Sequence, residues 1–135
     1  KGRYAMRLDA DDFLDPDGWE EAWQEISAKL SAGAQAVYPA FRVRGIDGRR
    51  HAKVQDPREH HHAGGAVFQR AFLNELRFKD GIRHWDGLEL YRRLREVGAK
   101  IEYCDTPTWV YSQHEGSMSR SEPAERARLK EELER

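Results

Sequence analysis

The chain has 135 residues, of which 35% are charged and 39% apolar, and its net charge is −1. This size and composition fit one domain, or part of one, with a modest hydrophobic core. Lys and Arg total 23 against 24 Asp and Glu, which argues against a dedicated nucleic-acid-binding protein, since such a protein needs a basic excess to displace counterions from phosphates. No run approaches the roughly 20 apolar residues that a membrane-spanning helix needs. A single cysteine, Cys104, excludes an intramolecular disulfide.

The N-terminal part of the chain predicts a strand followed by a helix. Residues 3–8 alternate in polarity, which is typical of a strand. Asp17 and Glu20 have the spacing of a capping box. Apolar residues at helical spacing follow, and Gly33 is a natural stop, so we expect a helix that ends there.

The next segment predicts a strand and a basic hairpin. Residues 36–43 read as a strand, which Pro39 confines to an edge or a bulge. Residues 51–55 are expected to return as the second arm of a hairpin. Residues 42–58 carry six basic side chains against two acidic ones. This segment is either an anion-facing loop or a solvated hairpin, and its residues leave both interpretations open.

The second half of the chain predicts shorter elements. We expect a small, apolar strand followed by a short helix, an amphipathic helix that begins after Trp85-Asp86 and ends at Gly98, two strands separated by a turn, and a charged terminal helix. The ranges in chain order are residues 64–68, 70–76, 87–97, 101–103, 108–111 and 123–135. Cys104 is expected to be a small buried side chain.

The run Asp9-Ala10-Asp11-Asp12 follows the first predicted strand. Alternate residues of a strand share a face, so two carboxylates in an Asp-x-Asp pattern meet near one point. Hard cations such as Mg²⁺ or Mn²⁺ take such oxygen ligands and complete their shell with water and phosphate. A turn with solvated acids explains the same residues equally well.

Four segments resemble, in the same order, segments of glycosyltransferase family 2, which has the GT-A fold. Residues 2–16, GRYAMRLDADDFLDP, look like the segment around its DxD motif. Residues 64–70, GGAVFQR, are similar to its Gly-rich strand and the arginine that follows. Residues 85–94, WDGLELYRRL, resemble the start of its "ED" helix, and residues 111–119, YSQHEGSMS, resemble its C-terminal loop.

The resemblance implies an α/β fold, namely part of a GT-A mixed sheet flanked by helices. Residues 1–120 would be the C-terminal part of a glycosyltransferase domain, and residues 121–135 a charged helix. The N-terminal strands that build the nucleotide pocket would be missing. Because ligands of open α/β sheets lie across the carboxyl ends of several strands, the chain would then lack most of its nucleotide-binding crevice. This chain alone is therefore expected to bind a sugar nucleotide weakly and to be inactive by itself.

The resemblance also implies a metal and a catalytic base. Asp9 and Asp11 would hold Mg²⁺ or Mn²⁺ on the diphosphate of the donor, with Asp12 supporting the site. His114 would be a third metal ligand or a hydrogen-bond donor to phosphate. Asp86 would be the base that removes the proton of the acceptor hydroxyl as it attacks the anomeric carbon; without the resemblance, Asp86 reads as a helix N-cap.

Gly64 and Gly65 would let the backbone approach the donor sugar, although a tight turn is the alternative explanation. Trp85 stands where the family has a glutamate, and it would stack on a sugar ring. Residues 60–62 are three consecutive histidines, which we interpret as a flexible polar loop.

The activity implied is metal-dependent transfer of a sugar, with inversion, from a nucleotide-sugar donor to a glycan or a lipid-linked acceptor, in the biosynthesis of a polysaccharide. The location expected is the cytoplasm, with peripheral association at the membrane surface as an option.

Two alternative functions belong to other classes of protein. A non-catalytic module would hold a carbohydrate or a protein with Trp85 and the basic hairpin. A Mg²⁺-dependent phosphohydrolase would also use strand-end acids, but the sequence places no nucleophile or phosphate-clamping residue convincingly beside them.

Overall fold

The structure is a computed structural model that describes residues 2–77 and 86–113, together with residues 127, 128, 131 and 134. Its elements are β1 (Tyr4–Met6), β2 (Phe13–Leu14), α1 (Trp19–Ser31), β3 (Ala36–Arg44), β4 (Val67–Gln69), α2 (Arg70–Leu76), α3 (Asp86–Glu96) and β5 (Ile101–Ser112). The predicted mixed α/β class is confirmed. The four described residues of the predicted C-terminal helix are helical.

The five strands form one mixed sheet in the order β1-β4-β3-β5-β2. β3 and β5 pair in parallel, and the other three pairs are antiparallel. Because β3 lies at the centre, the prediction that Pro39 marks an edge strand is wrong. The bulge alternative is confirmed, since the register between β3 and β5 shifts between Pro39 and Phe41.

β5 is one continuous strand, so the prediction of two strands separated by a turn is wrong. The ladder pairs Cys104 with Pro39 and Trp109 with Phe41, which leaves residues 105–108 opposite Ala40 alone. Such a bulge lets the chain stay extended while Pro107, which has no N–H to donate, interrupts the ladder.

The helices cover both faces of the sheet. Alternate residues of β3 point to opposite sides, and both sides carry apolar residues that have to be buried. On one face, α1 packs against Val37; on the other face, α3 packs against Tyr38. The fully buried residues of the first core are Ala22, Ile26, Leu30, Ala34, Val37, Val67 and Cys104. Those of the second are Ala36, Tyr38, Ala66, Phe68, Leu90 and Leu94. Cys104 is thus the buried small side chain that the sequence predicts.

The predicted capping box at the start of α1 is wrong. The N-cap is Gly18, without a side-chain cap, while the carbonyl of Asp15 accepts hydrogen bonds from Gly18 N at 3.2 Å and Trp19 N at 3.0 Å. Asp17 instead forms an ion pair with Arg50. The predicted stop is confirmed: Gly33 follows the helix with φ +108°.

The buried carboxylate of Asp15 fixes the basic hairpin to the start of α1. Asp15 has no exposed side-chain surface, and its two oxygens accept hydrogen bonds from Arg42 Nη1 at 2.6 Å and Arg50 Nη1 at 2.8 Å. Arg58 in turn lies over the ring of Tyr103 and donates to Asp105 Oδ1 at 2.6 Å. Three of the six basic residues are therefore engaged with acids of this chain, which weakens the interpretation as an anion-facing loop.

Residues 45–66, which we call the β3–β4 connection, contain no helix or strand. The predicted second hairpin arm is present only as two isolated bridges, Arg44 to Arg50 and Phe41 to Gln55. Connections of this length without secondary structure are usually either functional or linker segments.

Candidate functional site

Residues 8–12, the acid loop, connect β1 to β2 at one end of the sheet. The loop is closed by a hydrogen bond from Asp12 N to Asp9 O at 3.0 Å. Asp9 and Asp11 are exposed, and Arg7 Nε donates to Asp9 Oδ1 at 3.2 Å. The two carboxylates predicted to hold a metal therefore lie at the surface on a single turn, with Asp9 paired to Arg7.

Asp12 differs from its neighbours because it is buried. Its Oδ1 accepts a hydrogen bond from Ser112 N at 2.8 Å, which ties the acid loop to the last residue of β5. Burial raises the pKa of Asp12 to about 6, against the lowering effect of that hydrogen bond. His114 follows Ser112 by two positions but lies outside the described residues.

The two glycines lie directly beside the acid loop. Gly64 forms a parallel bridge with Arg7, and Gly65 N donates to Arg7 O at 2.8 Å. A Cβ on Gly64 would lie 3.9 Å from Asp12 Oδ2 and 3.4 Å from the indole of Trp109. Gly65 has φ +77°, and a Cβ there would overlap the same indole. The close approach that these glycines permit is thus an approach to Trp109, and contact with a donor sugar stays a prediction.

Two buried polar atoms next to Gly64 and Gly65, which we call the Gly64-Gly65 turn, have no hydrogen-bond partner within the described part of the chain. They are Trp109 Nε1, beside Gly65, and the hydroxyl of Ser112, whose backbone binds Asp12. Buried polar groups normally find a partner in protein or water. Their presence here favours a site that binds water or a ligand over a plain packing contact.

The first turn of α3 contacts the same stretch of chain. A Cβ on Gly87 would lie 2.6 Å from Ala63 N and 3.0 Å from His61 O. Ala63 precedes Gly64, which adjoins Asp12, so the start of α3 and the acid loop are on the order of 10 Å apart. The acid loop, the glycines and the beginning of α3 therefore meet at residues 61–65. Asp86 is the first residue of α3, but its side chain, like Trp85, lies outside the described residues.

A buried ion pair holds α3 to the end of α2. Glu89 is 1% exposed, and its two oxygens accept from Arg93 Nε at 2.6 Å and Nη2 at 3.1 Å. Arg93 also donates to the carbonyls of Leu76 and Arg77, at 2.7 Å and 2.6 Å. Arg93 is therefore partly buried and paired rather than fully solvated. The i,i+4 spacing of Glu89 and Arg93 was the available signal.

The three histidines lie in a segment without helix or strand, in which His61 and His62 are half-buried and His60 is exposed; the flexibility of this loop stays a prediction. The ring of His61 stacks on Tyr91 with centroids 3.6 Å apart, and its Nε2 lies 3.1 Å from Tyr103 Oη. The rings of His60 and His62 both contact Phe41, at 6.0 Å and 5.2 Å between centroids. This alternation is that of an extended segment, in which neighbouring side chains point to opposite sides.

The burial of His61 predicts a loss of stability in acid. Burial, assisted by Arg95, lowers the pKa of His61 from 6.5 to about 4. Between those values the unfolded chain takes up a proton that the folded chain does not, so the free energy of unfolding falls as pH falls through this window. His61→Phe keeps a ring against Tyr91 but cannot titrate. Between pH 7 and pH 4, we expect the free energy of unfolding of the variant to fall by about 2 kcal/mol less than that of the wild type. The difference is no larger than this because the ring of His61 is only half-buried.

Urea denaturation followed by circular dichroism at pH 7, 5.5 and 4 measures this difference. The lost hydrogen bond to Tyr103 shifts the variant equally at every pH, so only the change with pH reports the titration. His51→Phe is the control, because His51 is exposed and, unlike His60, is not among the groups that lower the pKa of His61. Parallel pH curves for the wild type and His61→Phe would contradict the prediction.

A surface hollow of about 360 Å³ lies elsewhere on the molecule. It is lined by Arg3, Tyr4, Leu30, Ser31, Gly33, Gln69 and Ala71. Tyr4 is the first residue of β1, whereas the acid loop follows the other end of that strand. The hollow is therefore separate from the candidate site.

Across residues 2–77 and 86–113, no three His, Cys, Asp or Glu side chains form a group that could hold a metal ion. Mg²⁺, however, usually takes one or two protein carboxylates and completes its octahedral shell with water and substrate phosphates. Asp9 and Asp11, two exposed carboxylates on one turn, fit that pattern as a pair.

Two further findings bear on function. Within the described part of the chain, every helix is too short or too polar to cross a membrane. Neither a protein-family model nor a curated protein matches this chain, so a function has to be argued from the geometry of the site.

Proposed function

We propose that this chain is part of a metal-dependent glycosyltransferase that resembles family 2 and has the GT-A fold. It would transfer a sugar, with inversion, from a nucleotide-sugar donor to a hydroxyl of a glycan or lipid-linked acceptor. One observation carries the proposal: the acid loop and the first turn of α3 both adjoin residues 61–65, which include the Gly64-Gly65 turn. These are the three parts to which the resemblance attributes the metal, the donor sugar and the base.

The acid loop is suited to holding Mg²⁺ or Mn²⁺. Asp9 and Asp11 are exposed, while Asp12 is turned toward Ser112 N and so holds the loop rather than the cation. When bound, the metal neutralises the negative charge that develops on the departing diphosphate. Trp109 Nε1 and the Ser112 hydroxyl are buried beside the loop and have no hydrogen-bond partner among the described residues, which also favours a binding site at this point.

Asp86 is the base in this proposal. An acceptor hydroxyl is a weak nucleophile, so its proton must leave as the oxygen attacks the anomeric carbon. Asp86 is the first residue of α3, so its backbone lies at the helix end that adjoins residues 61–63. The same helix end lies close to the acid loop, as base and metal must when they act on one sugar.

The alternative of a non-catalytic binding module rests on Trp85 and the basic hairpin. Its support is weaker, because Arg42, Arg50 and Arg58 of that hairpin are already paired with Asp15, Asp17, Asp56 and Asp105. A binding module would also have no need of the acid loop, which gives a direct test.

Asp11→Asn tests the proposed function. We expect Mn²⁺ affinity, measured by calorimetric titration, to fall at least about ten-fold, because an amide oxygen replaces a charged ligand. Sugar transfer by the longest natural polypeptide that contains this chain, measured as release of nucleoside diphosphate from a panel of nucleotide sugars, should fall with it.

Asp47→Asn is the matched control, because Asp47 is also an exposed turn aspartate whose side chain accepts from a backbone N–H. It should change neither quantity. Equal Mn²⁺ affinity in the wild type and Asp11→Asn, or equal transfer rates, would refute the proposed function.

A further inference from the structure

We propose that Gly87 is a positioning residue: its missing side chain lets the first turn of α3 lie in backbone contact with residues 61–63, and this contact sets how far Asp86 stands from the acid loop. The inference rests on the proposed function for its catalytic consequence. Its geometric part can be tested without a substrate.

The contact between α3 and the β3–β4 connection leaves no room for a Cβ. One on Gly87 would lie 2.6 Å from Ala63 N and 3.3 Å from Ala63 Cβ. The first of these atoms is backbone, so it cannot swing away as the end of a flexible side chain can. A methyl group there must push the first turn of α3 and the connection apart.

Glycine is otherwise a poor choice at this position. Gly87 is the second residue of α3, and glycine is among the least favourable residues within a helix because it loses the most backbone freedom. Helix propensity alone would therefore favour alanine. The close contact with Ala63 supplies the reason for a residue without a side chain.

The contact between Gly87 and Ala63 lies only one residue away from the contact between Gly64 and the acid loop. Ala63 is followed by Gly64, which bridges to Arg7 and lies next to Asp12. Gly65 N adds a hydrogen bond to Arg7 O at 2.8 Å. The same few residues thus touch α3 on one side and the acid loop on the other.

Hydrogen bonds of Tyr103 hold the two sides of this contact together. Tyr103 Oη lies 3.1 Å from His61 Nε2 in the connection and 3.2 Å from Tyr91 Oη in α3. The ring of His61 stacks on that of Tyr91. The connection and α3 therefore behave as one packed unit, whose spacing is set at Gly87.

The geometric test uses a nitroxide attached at Ala10→Cys in the acid loop, with the amide signals of α3 observed by NMR. Cys104 is fully buried and should not react with the label. We expect the amide of Leu88 to be broadened in the parent protein, and its paramagnetic relaxation rate to be measurably lower in Gly87→Ala because the helix moves away.

Gly45→Ala is the matched control. A Cβ there would meet His51 Nε2 and Asp47 Oδ1, which are ends of side chains that can move aside. Its Leu88 amide should stay as broad as in the parent. Equal broadening at Leu88 in the parent and Gly87→Ala would overturn the positioning role.

The catalytic test compares kcat with KM for the transfer reaction of the longest natural polypeptide. In Gly87→Ala, kcat should fall about 10²-fold because a base displaced by an ångström no longer meets the hydroxyl. KM for the donor should stay unchanged, and the stoichiometry of Mn²⁺ binding should match the parent, whereas a loss of folded protein would lower that stoichiometry together with kcat. If the parent transfers no sugar, the proposed function fails, while the broadening at Leu88 still decides the geometry.

A second variant covers the case in which Gly87→Ala does not fold. Tyr103→Phe removes only the two hydrogen bonds that join His61 to Tyr91, and we expect it to reduce the Leu88 broadening and kcat in the same direction. Tyr38→Phe is its control, because the buried Tyr38 hydroxyl has no hydrogen-bond partner within the described residues. Identical behaviour of the two variants would overturn the proposal.

Discussion

Asp15→Ala is expected to lower the free energy of unfolding by about 3 kcal/mol. The carboxylate is fully buried and accepts hydrogen bonds from Arg42 and Arg50, so its loss leaves two guanidinium groups without their shared acid. It also removes the acceptor of Asp17 N in the turn before α1. The two arginines remain 19% and 34% exposed, which places the effect at the lower end of what breaking a buried ion pair costs. Urea denaturation followed by tryptophan fluorescence measures it.

Asp17→Ala is the control for burial. Asp17 also pairs with Arg50, but its side chain is 59% exposed, so we expect a loss below about 1 kcal/mol. Equal losses in the two variants would show that burial of the acid does not matter. A loss below about 1 kcal/mol for Asp15→Ala would show that the hairpin is not held to α1 by this carboxylate.

The elements that the sequence predicts correctly are those fixed by nearby residues. α1 and α3 follow from apolar residues at helical spacing, and each is followed by a glycine with positive φ, Gly33 and Gly98. The errors concern partners across the sheet. Whether Pro39 lies at an edge, or Pro107 ends a strand, depends on which strand lies alongside, and short-range patterns do not contain that information.

In the candidate site, too, the features set by nearby residues were predictable, and those set by distant residues were not. The exposed pair Asp9 and Asp11 was predictable, because their spacing alone puts two carboxylates on one turn. The burial of Asp12 and the stacking of His61 were not, because each depends on a residue far along the chain. Asp12 binds Ser112 and His61 meets Tyr103, and no local pattern in the sequence links these pairs.

Gly65→Ala is expected to cost about 3 kcal/mol, the second large effect on stability. About 1 kcal/mol or slightly more comes from forcing an alanine to adopt φ +77°. A further contribution of about 2 kcal/mol comes from the overlap of its Cβ with the indole of Trp109, which is fully buried and stacked on Phe41. Thermal and urea denaturation measure the total.

Gly48→Ala separates the two contributions, because Gly48 has nearly the same backbone angle, φ +79°, and nothing within 4 Å of the added Cβ. It should cost only about 1 kcal/mol, the backbone part. The difference between the two variants then measures the packing of the Gly64-Gly65 turn on Trp109. Equal costs would mean that the turn can lift off the indole freely. In that case Gly65 would not hold Arg7 and the acid loop in place, and the packing that brings the acid loop close to α3 would be far looser than its contacts indicate.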